Sequence, residues 1–129
     1  MAAIEIVDDR YEDYGKLDAA ALIADDFFNS GCVLGEPRDG WRSLDLAAVR
    51  GIMEINGEEA GTGTGATVLG HPLEALALLA NEAARRGETI EAGAIVLTGS
   101  IVQTKWLEPG DHAVCRLEGL GTVSLKTEP

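Results

Sequence analysis

Asn56-Gly57 is the strongest local constraint in this chain. Both central positions of a type I′ turn need positive φ, which Asn tolerates and Gly adopts freely, so the pair predicts an antiparallel hairpin. Val49 to Ile55, with Gly51 inside it, reads as the strand that feeds the turn, and Glu58 to Ala60 as the return strand. The return runs on into Gly61-Thr62-Gly63-Thr64-Gly65-Ala66, where so little side-chain bulk remains that another backbone or a ligand can approach closely. The stretch from Gly61 to Gly70 superficially resembles a phosphate loop. It lacks the Lys of GxxxxGK[ST], and its glycines do not fall in a GxGxxG pattern after a strand, so nucleotide binding is not expected.

Further elements follow from shorter patterns. Ala3 to Val7 reads as a strand with one carboxylate, Glu5, set between β-branched residues. Asp18 caps a predicted helix whose apolar face runs through Leu22, Ile23 and Phe27. Cys32 to Gly35 predicts another strand, and Glu36 to Gly40 a loop. The clearest helix follows Gly70-His71-Pro72, with Leu73, Leu76, Ala77, Ala80, Ala83 and Ala84 on one stripe. Glu74 in its first turn and Arg85-Arg86 in its last suit the helix dipole, and Gly87 is a natural stop. Ala94 to Leu97 reads as a buried strand ending in Thr98-Gly99-Ser100, and Pro109-Gly110-Asp111 as a turn. His112 to Leu117 and Thr122 to Leu125 read as two strands joined through Glu118-Gly119-Leu120-Gly121. The expected fold class is α+β: one domain over residues 1–129, β-rich, with a curved sheet and two packed helices.

Charge narrows the partners. The 129 residues carry 22 Asp or Glu against 10 Lys or Arg, a formal charge of −12, which repels nucleic acid and anionic membranes. It does not exclude a small anionic substrate, because a bound cation inverts the local sign. The apolar fraction of 46% is ordinary, so a packed core is expected rather than disorder. No apolar window is long enough to span a membrane, and the N-terminus shows no basic segment followed by an apolar one, so a secretory signal is not supported. Cys32 and Cys115, far apart and each in an apolar-rich run, are expected as reduced, buried thiols of a cytoplasmic protein.

Several residues carry candidate chemistry beside an ordinary reading. Glu5 faces the opposite side from Ile4 and Ile6: a solvated outer face, or one oxygen ligand of a hard cation such as Mg²⁺, which needs further ligands from elsewhere. Asp8, Asp9, Glu12 and Asp13 form either a solvated loop with Arg10 pairing locally or an acidic surround for the same cation. Asp25-Asp26, at a helix end that disfavours anions, is a weak sign of a residue held for a partner. His71 reads as a helix cap or as a titrating base. Thr98-Gly99-Ser100 offers a hydroxyl and free N–H groups to a carboxylate, and Trp41 and Trp106 read as packing or interface residues.

The order of short motifs goes further. Ile4-Glu5-Ile6-Val7-Asp8-Asp9-Arg10-Tyr11-Glu12, then Ala24-Asp25-Asp26, Val33-Leu34-Gly35, Met53-Glu54 and Asn56-Gly57-Glu58 appear in sequence. Gly63-Thr64-Gly65-Ala66, Leu69-Gly70-His71-Pro72, Leu97-Thr98-Gly99-Ser100, Pro109-Gly110-Asp111 and Glu118-Gly119-Leu120-Gly121-Thr122-Val123-Ser124 follow. Together they resemble the 2-keto-4-pentenoate hydratase and 4-oxalocrotonate decarboxylase family of the fumarylacetoacetate hydrolase superfamily. The resemblance implies the superfamily's C-terminal-domain fold. It implies a Mg²⁺- or Mn²⁺-dependent hydratase or decarboxylase of aromatic meta-cleavage catabolism, acting on small anionic 2-hydroxydienoates and their 2-oxo tautomers. There the metal acts as a Lewis acid on the dienolate. A homo-oligomer is implied as well.

Residue by residue, Glu5 matches the family's third metal-ligating carboxylate. Asp8 and Arg10 match the motif positions that support it, and with Asp25 they form the candidate catalytic set. Thr98 and Gly99, closed by Ser100, match the loop that lines the substrate carboxylate.

Two departures stand out. Family members are longer at the N-terminus, where a Glu-x-Glu pair supplies the other metal ligands and a Lys completes the site. No Glu-x-Glu occurs here, and Lys16, Lys105 and Lys126 do not match that Lys. The family's Asp-Asn-Ala-Ser-Ser segment is Asp25-Asp26-Phe27-Phe28-Asn29 here. The chain thus reads as the family's core without its N-terminal part: a truncated product, an isolated domain, or one piece of a split gene whose N-terminal part comes as a separate chain. Two further readings stand beside it: a catalytically incomplete structural or small-molecule-binding subunit, and an acylpyruvate-type C–C hydrolase.

Overall fold

A computed structural model describes residues 1–128. Its strands are β1 (Ala3–Val7), β2 (Asn29–Leu34), β3 (Arg50–Ile55), β4 (Glu58–Thr64), β5 (His112–Leu117) and β6 (Gly121–Lys126). Its α-helices are α1 (Ala19–Ala24) and α2 (Pro72–Arg85). The strands form two antiparallel sheets, the pair β1-β2 and the four-stranded β4-β3-β5-β6. Among the described residues, no helix is long and apolar enough to cross a membrane.

The hairpin forms as its turn chemistry dictates. Asn56 and Gly57 hold φ of +53° and +84°, and β4 extends past Ala60 to Thr64. The Asn56 side chain also fastens the neighbouring strand: its Nδ2 donates to Asp111 Oδ1 at 2.7 Å, and His112 N donates to its Oδ1 at 3.0 Å. The glycine run is a strand in this ladder rather than a phosphate loop, and its lack of side chains is used. A Cβ on Gly63 would lie 2.0 Å from the Ile101 carbonyl oxygen, and one on Gly61 2.7 Å from Val102 Cγ1. Across the hairpin, a Cβ on Gly51 would lie 2.1 Å from Ile101 Cδ1. The segment at Ile101 and Val102 therefore lies directly on these bare strands.

The core sits where the two sheets meet. Ala2, Ile4, Cys115 and Val123 are buried together, with Val33, Met53, Leu117 and Leu125 packed around them. Burying side chains the size of Ile4 and Val123 contributes about 2 kcal/mol each. Burial also pushes the Cys115 thiol pKa up. Cys32 departs from expectation: it is exposed, because it pairs with Glu5 on β1, in register with that outward-facing residue.

Both helices are capped as their sequences predict. Asp18 accepts from Ala21 N at 2.8 Å to start α1, and His71 Nδ1 accepts from Leu73 N at 3.1 Å to start α2, with Pro72 in its first turn. The capping reading of His71 is the one the structure shows. Helix α1 stops at Ala24, short of Phe27, because Asp26, Phe27 and Phe28 adopt left-handed φ of +57°, +50° and +65°. Helix α2 has no buried residue. Ala94 to Leu97 forms no strand, and Ile95 is 62% exposed. A strand exists only in a ladder, and no strand of the described chain pairs with this segment.

Candidate active site

Residues at the exit of β1 meet the turn between α1 and β2. The β1-β2 register ends at Val7↔Asn29, after a shift that follows Ile6, and Asp8 N donates to the Phe28 carbonyl at 2.9 Å. This brings Arg10 to the left-handed turn. Its Nη2 lies 3.0 Å from Asp25 Oδ2 and also donates to the Asp25 carbonyl at 3.2 Å, while Nη1 donates to the Asn29 carbonyl at 3.3 Å. Tyr11 OH donates to Asp25 Oδ1 at 3.1 Å, and Phe28 N donates to Oδ2 at 3.0 Å.

Asp25 is the hub of this cluster, and its side chain is 12% exposed. A carboxylate that accepts from a guanidinium, a phenol and an amide is favoured in its charged form. The Arg10 guanidinium, helped by Tyr11 and the Phe28 amide, accordingly holds the Asp25 carboxyl below the usual carboxylate range. The same contacts push the Arg10 and Tyr11 pKa values up, chiefly through the hydrogen bond each makes to Asp25. Aromatic edges surround the hub: Phe28 meets Tyr11 at 6.0 Å and Tyr14 at 6.3 Å between ring centroids, and Tyr14 meets Trp106 at 6.5 Å.

Of the sequence-derived candidates, Arg10 and Asp25 are in direct contact, and Asp8 stands beside them through its backbone. Glu5 lies on β1 three residues before Asp8, about 10 Å along the strand, with its side chain exposed. Thr98-Gly99-Ser100 has other neighbours. Gly99 faces Val68, Ser100 Oγ donates to the Val102 carbonyl, and no hydrogen bond among the described residues joins the three to Glu5, Asp8 or Arg10. Trp41 is half-buried with the Arg42 guanidinium 4.6 Å over its ring. Tyr11 was not among the candidates. Its hydroxyl bridges 14 residues to Asp25, and no local pattern encodes a contact of that span.

These residues do not by themselves make a metal centre. A Mg²⁺-type site wants several oxygen ligands, and among the described residues no three His, Cys, Asp or Glu side chains gather closely enough to hold an ion. Glu5 offers one carboxylate, and the Asp25 carboxylate is already occupied by Arg10 and Tyr11.

The chain is 40% identical over 126 residues to a 4-oxalocrotonate decarboxylase of Pseudomonas putida, covering 98% of this chain and 47% of that protein. It is 39% identical over 125 residues to a 2-hydroxyhexa-2,4-dienoate hydratase of Comamonas testosteroni, covering 95% and 46%. Among solved structures, the 4-oxalocrotonate decarboxylase from Pseudomonas putida G7 complexed with magnesium and adipate superposes with a TM-score of 0.87 at 40% identity, over 95% of this chain and 46% of that one. The same decarboxylase complexed with calcium and acetate gives 0.84 at 39% identity, over 95% and 45%. The chain spans about half the length of the relatives it matches. With residues 9–126 matching its model, the chain belongs to the fumarylacetoacetate (FAA) hydrolase C-terminal family.

Proposed function

We infer that this chain forms one half of a divalent-metal-dependent hydratase or decarboxylase acting on 2-hydroxydienoate or 2-oxo-enoate intermediates of aromatic meta-cleavage catabolism. The observation that carries the reading is the superposition, at 40% identity, on a decarboxylase holding magnesium and a six-carbon dicarboxylate. Glu5 is the metal ligand this chain contributes. Asp8, Arg10 and Asp25 act as positioning residues, because the Arg10–Asp25–Tyr11 contacts fix the end of the strand that carries Glu5. Thr98, Gly99 and Ser100 offer N–H and hydroxyl donors to the substrate carboxylate. A homo-oligomeric, cytoplasmic enzyme belongs to the same reading.

The lone carboxylate favours a composite site over an autonomous one. Calorimetry with Mg²⁺ on this chain alone should show no micromolar binding, and micromolar binding would refute the composite site. A single polypeptide joining this chain to the unmatched half of the Pseudomonas putida decarboxylase should turn over 4-oxalocrotonate or 2-keto-4-pentenoate with Mg²⁺ or Mn²⁺. Carbon dioxide release or water addition separates the two lyase activities. Release of pyruvate from an acylpyruvate instead would make the enzyme a C–C hydrolase, and no turnover of any of these would leave a structural or binding subunit.

A further inference from the structure

We propose that the segment Ala94–Thr98 is a strand position that docks a strand from the half of the enzyme this chain does not span. The inference rests on the composite-site reading above and adds to it the surface at which the halves join. Three observations converge on this segment. From Ala92 to Thr104 the sequence carries no charged residue in a chain of net charge −12, and Ile95-Val96-Leu97 is an apolar run with two β-branched residues. Among the described residues, no backbone N–H or C=O from Ile95 to Thr98 takes part in a backbone hydrogen bond. Yet the chain that directly follows it is anchored, because Ile101 and Val102 lie on Gly51, Gly61 and Gly63 and Gly99 faces Val68.

An uncharged, β-prone segment with a free backbone is an open template for strand addition, and folded proteins cover such edges. Ile95, 62% exposed, marks the apolar surface left open along it. The occupant follows from the comparisons. The matched structure shares this half-fold at a TM-score of 0.87 and has more than half of its length outside the match. The docking is the same whether the other half is joined to this chain or comes as a separate polypeptide.

Hydrogen–deuterium exchange tests the proposal on this chain alone and on the joined polypeptide described above. In the chain alone, the amides of Ile95 to Thr98 should exchange at the rate of open backbone. In the joined form they should slow by about 100-fold or more while β5 and β6 stay unchanged. Val96→Pro in the joined form should return Ile95 and Leu97 to fast exchange and leave β5 protected. The proposal is overturned by unchanged exchange at Ile95 to Thr98 in the joined form, and equally by a joined form in which β3 and β5 lose protection. Protection in the chain alone that grows with its concentration would instead show a second copy as the occupant. Protection without turnover supports the docking while sinking the proposed activity, and turnover without protection does the reverse.

Discussion

The four-stranded sheet and the β1-β2 ribbon are held by opposite means. In the sheet, what matters most is absence: Gly51, Gly61 and Gly63 leave room for Ile101 and Val102 to lie on the strands. In the ribbon, what matters is a polar hub, Asp25, which gathers Arg10, Tyr11 and the Phe28 amide around a left-handed turn. The glycine packing is steric and indifferent to pH, although the sheet also carries charged contacts at Arg116–Glu54 and Asn56–Asp111. The hub is electrostatic and titrates. The difference separates a contact that depends on space alone from one that depends on charge.

The largest expected effect is on the steric side. Gly63→Ala places a Cβ 2.0 Å from the Ile101 carbonyl oxygen, a backbone atom that cannot swing away. Overpacking of this kind costs about 3 kcal/mol, or roughly 12 °C in Tm for a domain of this size. Gly57→Ala is the control. A Cβ there meets nothing within 4 Å, so only its φ of +84° opposes the change, at about 1 kcal/mol. Thermal melts followed by circular dichroism should rank the two in that order. Equal losses would mean that backbone conformation, not close approach, explains the glycines.

A smaller effect is expected at the hub, and it should depend on pH. Asp25→Asn keeps the shape and removes the charge facing Arg10, so the Tm at pH 7 should fall by less than for Gly63→Ala. The Asp25 carboxyl is depressed in the folded chain. Its contribution is therefore fully present above the unfolded Asp value of about 3.9 and is lost as pH falls through the lower folded value. The gap between parent and variant should be constant from pH 7 to about pH 5, then close below about pH 4. A gap that persists at pH 2 would assign the loss to hydrogen-bond geometry instead of charge.

Local chemistry was legible in the sequence. Asn56-Gly57 fixes its turn with two residues, and Asp18 and His71-Pro72 fix their helix starts with neighbours two or three positions on. The glycine run announced a close approach, although not that Ile101 makes it. What stayed hidden depends on distant partners. Arg10 and Tyr11 reach Asp25 across 15 and 14 residues, and nothing in either segment names the other. Ala94 to Leu97 has strand composition, but a strand is a relation between two segments, and no second one pairs with it among the described residues. Phe27 follows the spacing of a helical face, yet the Asp25 carboxylate captures Phe28 N and the chain turns left-handed there. The division of the strands into two sheets was hidden for the same reason, since register is set across space.

The smallest prediction probes that turn. Phe27 and Phe28 both sit in the left-handed region, which costs a non-glycine residue about 1–2 kcal/mol. They differ in what their rings do. Phe28 meets Tyr11 and Tyr14 edge-on, whereas Phe27 is 58% exposed. Phe27→Gly therefore relieves the backbone and loses little packing. After the unfolded-chain entropy of glycine is subtracted, about 0.5 kcal/mol of stabilisation remains, near 2 °C in Tm. Phe28→Gly relieves the same strain but gives up two aromatic contacts of about 1 kcal/mol each, so its Tm should fall. Opposite signs for two adjacent phenylalanines would show that the turn is strained and that the Phe28 ring, packed edge-on against Tyr11 and Tyr14, holds it in place. A fall for both would instead mean that the Phe27 ring is covered in solution, extending to this turn the kind of docking proposed for Ala94–Thr98.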